Sequence, residues 1–398
     1  MNRAVDASEI ARSRRQPRRI LFARAVDAGN LNAQVQNTKE ILARWRSEIW
    51  RPTVVSFGAP DPRVASNTRV DIVRIADDRW WRLRFWRLYQ DRFDAIFYPG
   101  LHHRADNLAL RARALTGRKI PVVATIEELV GGEEDQRLFA AIAGHPVFCH
   151  DVERRVGRRY DEIRDGADAL IAISPFLARM ARAKYGNKVS VLGLGVDTAV
   201  FRPIVRSEQR RAVVVGAGTV GDRKRPELFL ELAHRFPGAD FRWFGEGATR
   251  QALVNEANRR GLANLSFPGA LMPADLAYEF ARARIFVLPS KAEGAPRVTQ
   301  EAAACGLPQI VFGYCEAPGV VDGVNGFVVW NDDQLVQRLG QLLGDPSLEE
   351  RMGRAGAELA KEWSWDRLAP LWEERIIACA EAPASRGVKR FATPAEVS

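Results

Sequence analysis

The sequence predicts an α/β protein with two parallel-sheet domains that face each other across a cleft. Short apolar runs alternate with helical patterns along most of the 398 residues. This alternation is typical of parallel strands covered by helices on both faces. It is interrupted at residues 196–210, where a proline and a polar, basic run separate two halves of similar size. A chain of this length has room for two or three domains.

The composition excludes several classes of protein. Hydrophobic residues make up 46% and charged residues 27%, which excludes collagen-like, coiled-coil and wholly disordered chains. The net charge of +10 favours acidic partners such as phosphate groups. Four scattered cysteines without a CxxC pair argue against a disulfide framework or zinc site and favour a reducing cytoplasm. No apolar run approaches the ~20 residues needed to cross a bilayer.

The first half opens with a strand, a loop and a helix. Its predicted strands are residues 19–24, 52–57, 94–100, 121–126, 169–174 and 189–194. Gly29 lies in the loop after the first strand, where it either lines a site for an acceptor or diphosphate or forms a plain turn. Residues 1–17 and 381–398 lack an apolar core and are predicted to be disordered tails, so the basic start is not a secretory signal.

The second half repeats the same order of elements. Its predicted strands are residues 211–218, 240–245, 284–290 and 308–312, and helical patterns include residues 226–236, 348–363 and 365–380. Ligands of open parallel sheets bind beyond the carboxyl ends of the strands, so the loops at those ends are where a site is expected.

Residues 284–312 give the strongest indication of a binding site in the sequence. A strand ends before a short loop, and Pro296 is predicted in the first turn of the following helix. Gly306 ends that helix, and Pro308 prevents its continuation. A glycine-bearing loop therefore leads into a helix N-terminus, where backbone N–H groups and the helix dipole favour an anion such as a diphosphate.

Two glutamates flank this loop–helix junction. Glu293 lies in the loop beside Gly294 and Ala295, and Glu301 lies eight residues later in the helix. Carboxylates accept hydrogen bonds from hydroxyl pairs, which ribose and hexose sugars both offer. The spacing places one carboxylate at the mouth of the site and the other more than a helical turn deeper.

Residues 284–312 resemble the donor-site signature of retaining glycosyltransferases with the GT-B fold, in particular glycosyltransferase family 4. The resemblance runs from about residue 165 to 375 and is looser in the first half. It includes residues 167–180, 189–203, 320–329 and the closing Trp363-Ser-Trp365. It implies two Rossmann-like domains and a reaction that uses a nucleoside-diphosphate sugar.

The resemblance also implies roles for the residues around the helix. Glu301 would hold the ribose hydroxyls, and Glu293 would contact the donor sugar. Backbone N–H groups of Gly294 and Ala295, together with Pro296 at the junction, would face the sugar or phosphate. The leaving phosphate itself takes the acceptor proton in enzymes of this type, so no protein base is expected.

A second loop would hold the diphosphate. Lys224 matches the lysine with which the family pairs that group, after a loop containing Gly218. Thr219 occupies the place where the family usually has an arginine. Arg223, next to Lys224, is the candidate to replace that arginine. Glu127 occupies the place of a family histidine that contacts the donor sugar. With Lys224 and the helix dipole supplying positive charge, no metal is expected to be required.

The implied organisation assigns residues 18–200 to an acceptor-side domain and 201–365 to a donor-binding domain. Residues 366–380 form a helix that crosses back, and the domains close by a hinge. The expected acceptor is a glycan or lipid-linked hydroxyl in cell-envelope or polysaccharide synthesis, and the expected location is the cytoplasm or the inner membrane face. The resemblance implies no cofactor, with the nucleoside-diphosphate sugar as a co-substrate.

Two other classes of protein stay open. Gly216, Gly218 and Gly221 have the GxGxxG spacing of a dinucleotide site, which would indicate an NAD-linked or sugar-nucleotide-modifying enzyme. The third glycine of that fingerprint lies within a helix, whereas here a polar run intervenes and the helix is predicted to begin at Pro226. The departures at Thr219 and Glu127 keep open a non-catalytic relative that binds nucleotide or glycan.

Residues 79–89 interleave aromatic and basic side chains. This composition fits either a helix with its tryptophans in the core or peripheral contact with a membrane surface, and nucleic acid is not expected to be a partner. The histidines at 102, 103 and 150 are interpreted as surface or structural residues.

Overall fold

The computed structural model describes residues 16–30, 32–76, 80, 93–100, 120–149, 161–204 and 212–382. Both predicted tails, apart from the residues adjoining the fold, lie outside these ranges. So do His102, His103, His150 and the aromatic–basic run at 79–89 except for Trp80.

The first sheet is parallel in the pairings that the structure describes. Its strands are β1 (Arg18–Ala25), β2 (Trp50–Ser56), β3 (Asp71–Arg74), β4 (Ala95–Tyr98), β5 (Val122–Ile126), β6 (Ala169–Ala172) and β7 (Val189–Val191). They lie in the order β3-β2-β1-β4-β5-β6-β7. The associated helices are α1 (Ala33–Ala43), α2 (Pro62–Ala65), α3 (Glu133–Ala143) and α4 (Pro175–Tyr185).

Strand β1 lies inside the sheet, between two other strands, and is apolar on both faces. Ile20, Leu21 and Phe22 are fully buried, and the Phe22 ring makes edge contacts with Trp45 and Phe97. The chain then turns into α1, whose N-terminus is capped by a polar side chain in the usual way. This is the predicted strand–loop–helix start.

The second sheet has a core of its own and is also parallel. Its strands are β8 (Val213–Ala217), β9 (Asp240–Phe244), β10 (Leu265–Gly269), β11 (Ile285–Leu288), β12 (Gln309–Phe312) and β13 (Gly326–Val329), in the order β10-β9-β8-β11-β12-β13. The helices around it are α5 (Leu228–Arg235), α6 (Arg250–Arg259), α7 (Pro273–Arg282), α8 (Arg297–Ala304), α9 (Asp332–Gly344) and α10 (Pro346–Glu362). The last helix is α11 (Trp365–Glu381).

The predicted fold class, two parallel α/β sheets, is confirmed. Every predicted strand is present, with bounds that differ by a few residues. Three strands were not predicted from the sequence: β3, β10 and β13. Each lies at the end of its sheet, where only one neighbour covers it.

The chain divides into two compact units. The first contains the described residues within 16–125, 161–170 and 369–382, and the second those within 126–149, 171–204 and 212–368. The predicted boundary near residue 200 and the predicted hinge remain predictions. In the part of the chain that the structure describes, no helix combines the length and apolarity needed to span a membrane.

Two of the motifs behind the family resemblance pack against each other. Gly195 lies against the Trp365 indole so closely that a Cβ at residue 195 would come within 2.6 Å of the ring. The Val196 backbone also bonds to Trp363 and Trp365, with N···O distances of 2.8 and 3.0 Å. These motifs therefore have a packing role, which accounts for the glycine and the buried tryptophan.

Candidate active site

Two loops meet at the carboxyl edge of the second sheet. Strands β8 and β11 are parallel neighbours, so the loops that follow them leave the sheet on the same side. The loop after β8 contains residues 218–227, and the loop after β11 contains residues 289–296. The backbone N–H of Lys291 donates to the carbonyl oxygen of Arg223 at 2.9 Å and joins the two loops directly.

Three charged side chains meet between these loops. Glu293 contacts Lys224 through Oε1 and Nζ at 2.5 Å, and contacts Arg223 through Oε2 and Nη1 at 3.0 Å. Arg223 Nη1 also donates to the carbonyl oxygen of Ala292 at 2.7 Å. Lys224 and Glu293 are almost completely buried, while the Arg223 side chain is 37% exposed. The three predicted catalytic residues therefore form one cluster.

The electrostatics of this cluster favour ionised groups. Burial opposes the charge on Glu293, but Lys224 and Arg223 outweigh that effect and hold the pKa of its carboxyl below the ordinary value. Two cations against one carboxylate leave a surplus positive charge. An anion placed next to the cluster would be attracted to it.

Gly218 shapes the start of the first loop. Its φ of +144° lies in the region that favours glycine, and a Cβ there would come within 2.9 Å of Lys224 Cε. Its carbonyl oxygen accepts from the Trp243 indole at 3.0 Å and lies under Gly245 of the neighbouring strand end. Thr219, the next residue, is exposed and does not take part in the Glu293 cluster.

The helix after the first loop begins later than predicted. Residues 218–227 precede α5, which starts at Leu228 rather than at Pro226, because Pro226 and Glu227 form a turn before the helix. Gly221 is therefore outside the helix. The third glycine of a dinucleotide fingerprint would lie inside it, so this loop differs from that motif.

Glu301 lies on α8, away from the three-residue cluster. Its closest charged contact is Arg297 one turn earlier, with Nη2 and Oε1 separated by 3.3 Å. Burial raises the pKa of Glu301 above its ordinary value, and Arg297 only partly opposes this effect. Pro296 forms the N-cap with extended backbone, so the helix starts at Arg297 and not at the proline as predicted. Gly306 ends the helix with φ of +72°, as predicted.

Gly294 makes the closest backbone approach at the site. A Cβ at this position would lie only 1.6 Å from the carbonyl oxygen of Glu127, which follows β5 in the sequence. The Gly294 carbonyl oxygen accepts from Ser174 Oγ at 3.2 Å. Ala295, which follows, is half-buried. The structure thus brings Glu127 to the predicted donor loop, whereas Gly29 lies in the first unit.

Two residues near the cluster were not singled out from the sequence. Cys315 is buried close enough for Glu293 to act on it, and burial, with a smaller contribution from that carboxylate, raises the pKa of its thiol. Arg225 adjoins Arg223 and Lys224, but its guanidinium binds Asp332. The basic run at 223–225 was the available signal for Arg225, and nothing in the sequence indicated Cys315.

Among the described residues, no group of three or more His, Cys, Asp or Glu side chains is arranged to hold a metal ion.

Family models match along most of the chain. A model described as "Glycosyltransferase Family 4" matches residues 36–200, and one described as "Glycosyl transferases group 1" matches residues 197–359. The chain belongs to glycosyltransferase family 4. This confirms the resemblance inferred from the donor-site motifs.

Curated relatives match over parts of their length. A D-inositol 3-phosphate glycosyltransferase of Segniliparus rotundus is 30% identical over 203 residues, covering 46% of this chain and 45% of the relative. A sulfoquinovosyl transferase of Arabidopsis thaliana is 27% identical over 201 residues, covering 46% of this chain and 39% of the relative. The match thus spans about half or less of these curated relatives.

Solved structures share the fold over almost the whole chain. The Anabaena protein HepE in complex with UDP and glucose has a TM-score of 0.69 at 16% identity, covering 92% of this chain and 100% of HepE. Sucrose-phosphate synthase from Thermosynechococcus elongatus has a TM-score of 0.69 at 18% identity, covering 91% and 98%. This chain therefore has the GT-B fold.

Proposed function

We propose that this family 4 protein is a retaining glycosyltransferase that moves a sugar from a nucleoside-diphosphate sugar to a hydroxyl acceptor. The observation that carries the proposal is the cluster of Lys224, Arg223 and Glu293 at the carboxyl edge of the second sheet. Its surplus positive charge suits a diphosphate, and its carboxylate suits the hydroxyl groups of a sugar.

In this proposal the cations act mainly on the leaving group. As the bond between the sugar and the diphosphate breaks, negative charge grows on the phosphate oxygen. A fixed ammonium at Lys224 and a guanidinium at Arg223 stabilise that charge more in the transition state than in the ground state. The departing phosphate accepts the proton of the acceptor hydroxyl, so atoms and charge balance without a protein base.

The glutamates bind the two ends of the donor. Glu293, which its neighbours keep ionised, accepts from sugar hydroxyls, and Glu301 accepts from the ribose hydroxyls. The N-terminus of α8 and the backbone of Gly294 and Ala295 face the phosphate or sugar. Glu127 takes the place of a histidine and acts as an acceptor toward the donor sugar.

A similar solved structure supports the choice of the first donor base to test. HepE is solved with UDP, UDP-glucose and glucose, so a uridine nucleotide is the first donor to test. The acceptor would be a glycan or lipid-linked hydroxyl in envelope or polysaccharide synthesis. Residues 79–89, most of which the structure does not describe, would give peripheral contact with the inner face of a membrane.

A thermal-shift panel tests the donor assignment. The protein and its Glu301→Gln variant would be heated with UDP, GDP, ADP or NAD. A ligand present at 100 times its Kd adds about 2.7 kcal/mol of stability. We expect one nucleoside diphosphate to raise the Tm of the wild type and to raise it much less in the variant.

Two other results would contradict the proposal. A shift with NAD alone would indicate an NAD-linked enzyme in spite of the loop at 218–227. Binding of a nucleoside diphosphate without any sugar transfer to acceptor or water, tested with the matching sugar nucleotides, would indicate a non-catalytic relative.

A further inference from the structure

Arg225 has no part in the sugar transfer proposed above. It directly follows Arg223 and Lys224, yet its side chain points to a different partner. Its Nη2 donates to both carboxylate oxygens of Asp332, at 2.9 and 2.8 Å. The guanidinium also lies over the Phe312 ring, 5.2 Å from the centroid. Three consecutive basic residues are thus divided between the cluster and this second contact.

The backbone of Arg225 makes this contact informative. Its φ is +53°, in the left-handed region that side chains with a Cβ rarely adopt. The residue ends a turn in which Lys224 N–H donates to Gly221 at 3.0 Å, and its own carbonyl accepts from Leu228 at the start of α5. A conformation of this kind persists only where surrounding contacts determine it.

Those contacts come from fixed parts of the second sheet. Phe312 is the last residue of β12 and is buried, and Asp332 is the first residue of α9. The N-terminus of α9 is itself capped by Asn331, whose side chain accepts from Gln334 N–H. The Arg225 side chain is only 15% exposed, so water competes little for its guanidinium.

We propose that Arg225 is a positioning residue for Lys224. The hydrogen bonds from Arg225 Nη2 to Asp332 and the contact with Phe312 hold the turn at residue 225, and the turn directs the Lys224 ammonium toward Glu293 and the donor diphosphate. Arg225 acts through Lys224 and touches no substrate. This inference rests on the proposed function, because it assumes that Lys224 binds a diphosphate.

Substitution by glycine separates the side chain from the backbone. Arg225→Gly permits the left-handed φ without strain and removes both side-chain contacts. We expect roughly a tenfold lower kcat for transfer and a several-fold higher donor KM, since small misplacements of a binding group are costly. Asp332→Asn, which removes the charge that the guanidinium binds, should have the same effect. Arg225→Lys keeps a cation for Asp332 but lacks the planar guanidinium over the Phe312 ring, so it should have an intermediate effect.

A double-substitution cycle tests whether the effect passes through Lys224. In a Lys224→Met background, Arg225→Gly should change the rate by less than twofold, because the group that it positions is gone. The matched control is Arg259→Ala, which removes an arginine–carboxylate pair with Glu256 on α6 and should leave transfer unchanged. Equal losses from Arg225→Gly in both backgrounds would overturn the proposal.

Binding of UDP, GDP and ADP gives a readout that does not depend on transfer. Calorimetry with the nucleoside diphosphate that binds the wild type should give a several-fold higher Kd for Arg225→Gly and an unchanged Kd for Arg259→Ala. An unchanged Kd and kcat in Arg225→Gly would overturn the positioning role alone. If no nucleoside diphosphate binds the wild type, the proposed function fails, and with it the role of Arg225.

Discussion

Replacing Lys224 by methionine is the sharpest test of the charged cluster. The substitution keeps most of the length and volume of the side chain and removes the ammonium group, with its charge and its N–H donors. Glu293 would keep its contact with Arg223 at 3.0 Å but lose the closer contact with the ammonium. Stability and sugar transfer should then respond for different reasons, and a second substitution can separate them.

The structure sets the size of the stability effect. At an effective dielectric constant of about 20, unit charges 2.5 Å apart attract each other by about 7 kcal/mol before desolvation is counted. Removing one partner of a buried pair costs about 3–5 kcal/mol, since the other charge stays buried. Because Arg223 remains, we expect the low end, about 3 kcal/mol, or a Tm lower by about 6–12 °C.

The double variant Lys224→Met with Glu293→Gln separates the effect on stability from the effect on sugar transfer. It removes the uncompensated carboxylate, so unfolding in urea at pH 7 should show most of the lost stability restored. Sugar transfer should stay about 10²–10³-fold below the wild type in both variants, because neither supplies the cation for the leaving phosphate. The wild-type ion pairs are complete above pH 4.5 and are lost only as pH falls through the lowered pKa of Glu293.

Either of two results would contradict the role given to Lys224. A single Lys224→Met variant as stable as the wild type would mean that Glu293 is not held by that ammonium. Recovery of transfer in the double variant would mean that the lysine serves only to neutralise Glu293 and does not act on the donor.

Three further predictions concern the neighbouring residues. Gly294→Ala should cost about a hundredfold in activity, since its Cβ would lie 1.6 Å from a backbone oxygen and the loop must move, whereas Gly238→Ala, with open space around it, should be neutral in the same assay. Gly221→Ala should also retain transfer activity and nucleotide binding, because nothing lies within 4 Å; loss of binding would favour the dinucleotide fingerprint. Glu301→Gln should raise the Tm at pH 8 and weaken nucleotide binding. Its raised pKa means that the ionised form costs stability as pH rises through that value, so the gain in Tm should shrink as pH falls, and a pH-independent gain would contradict the buried-charge explanation.

The strands inside each sheet could be predicted from the sequence, whereas the edge strands β3, β10 and β13 could not; the edge strand β7 was predicted. A strand between two neighbours is covered on both faces and reads as a continuous apolar run, as in Val213–Ala217. Asp71–Arg74 has a charged residue at each end and is only partly buried, and Leu265–Gly269 contains Pro268. Proline is tolerated at a sheet edge because one side of the strand needs no hydrogen bonds. β3 and β10 therefore lack the pattern that identified the others.

The candidate site was predictable to the extent that it is local in sequence. Glu293, Gly294 and the start of α8 share one segment, and the glycines and prolines around them mark its turns. The partner of that segment was predictable only through the family resemblance, because Arg223 and Lys224 lie some 70 residues earlier. The approach of Gly294 to Glu127, 167 residues apart, depends on how the whole chain folds, and no spacing rule could indicate it.

The last helix has a consequence for how the protein can be made by a ribosome. Residues 369–382 belong to the first unit, where Glu373 accepts the backbone N–H of Arg46 at 2.7 Å and Glu381 accepts from the Trp50 indole at 3.1 Å. The earliest part of the chain therefore waits for the latest part before its hydrogen bonds are complete. Until residues 369–382 have left the ribosome, the first unit lacks these hydrogen bonds, and we expect a nascent chain stopped at residue 368 to be more sensitive to protease than the complete chain.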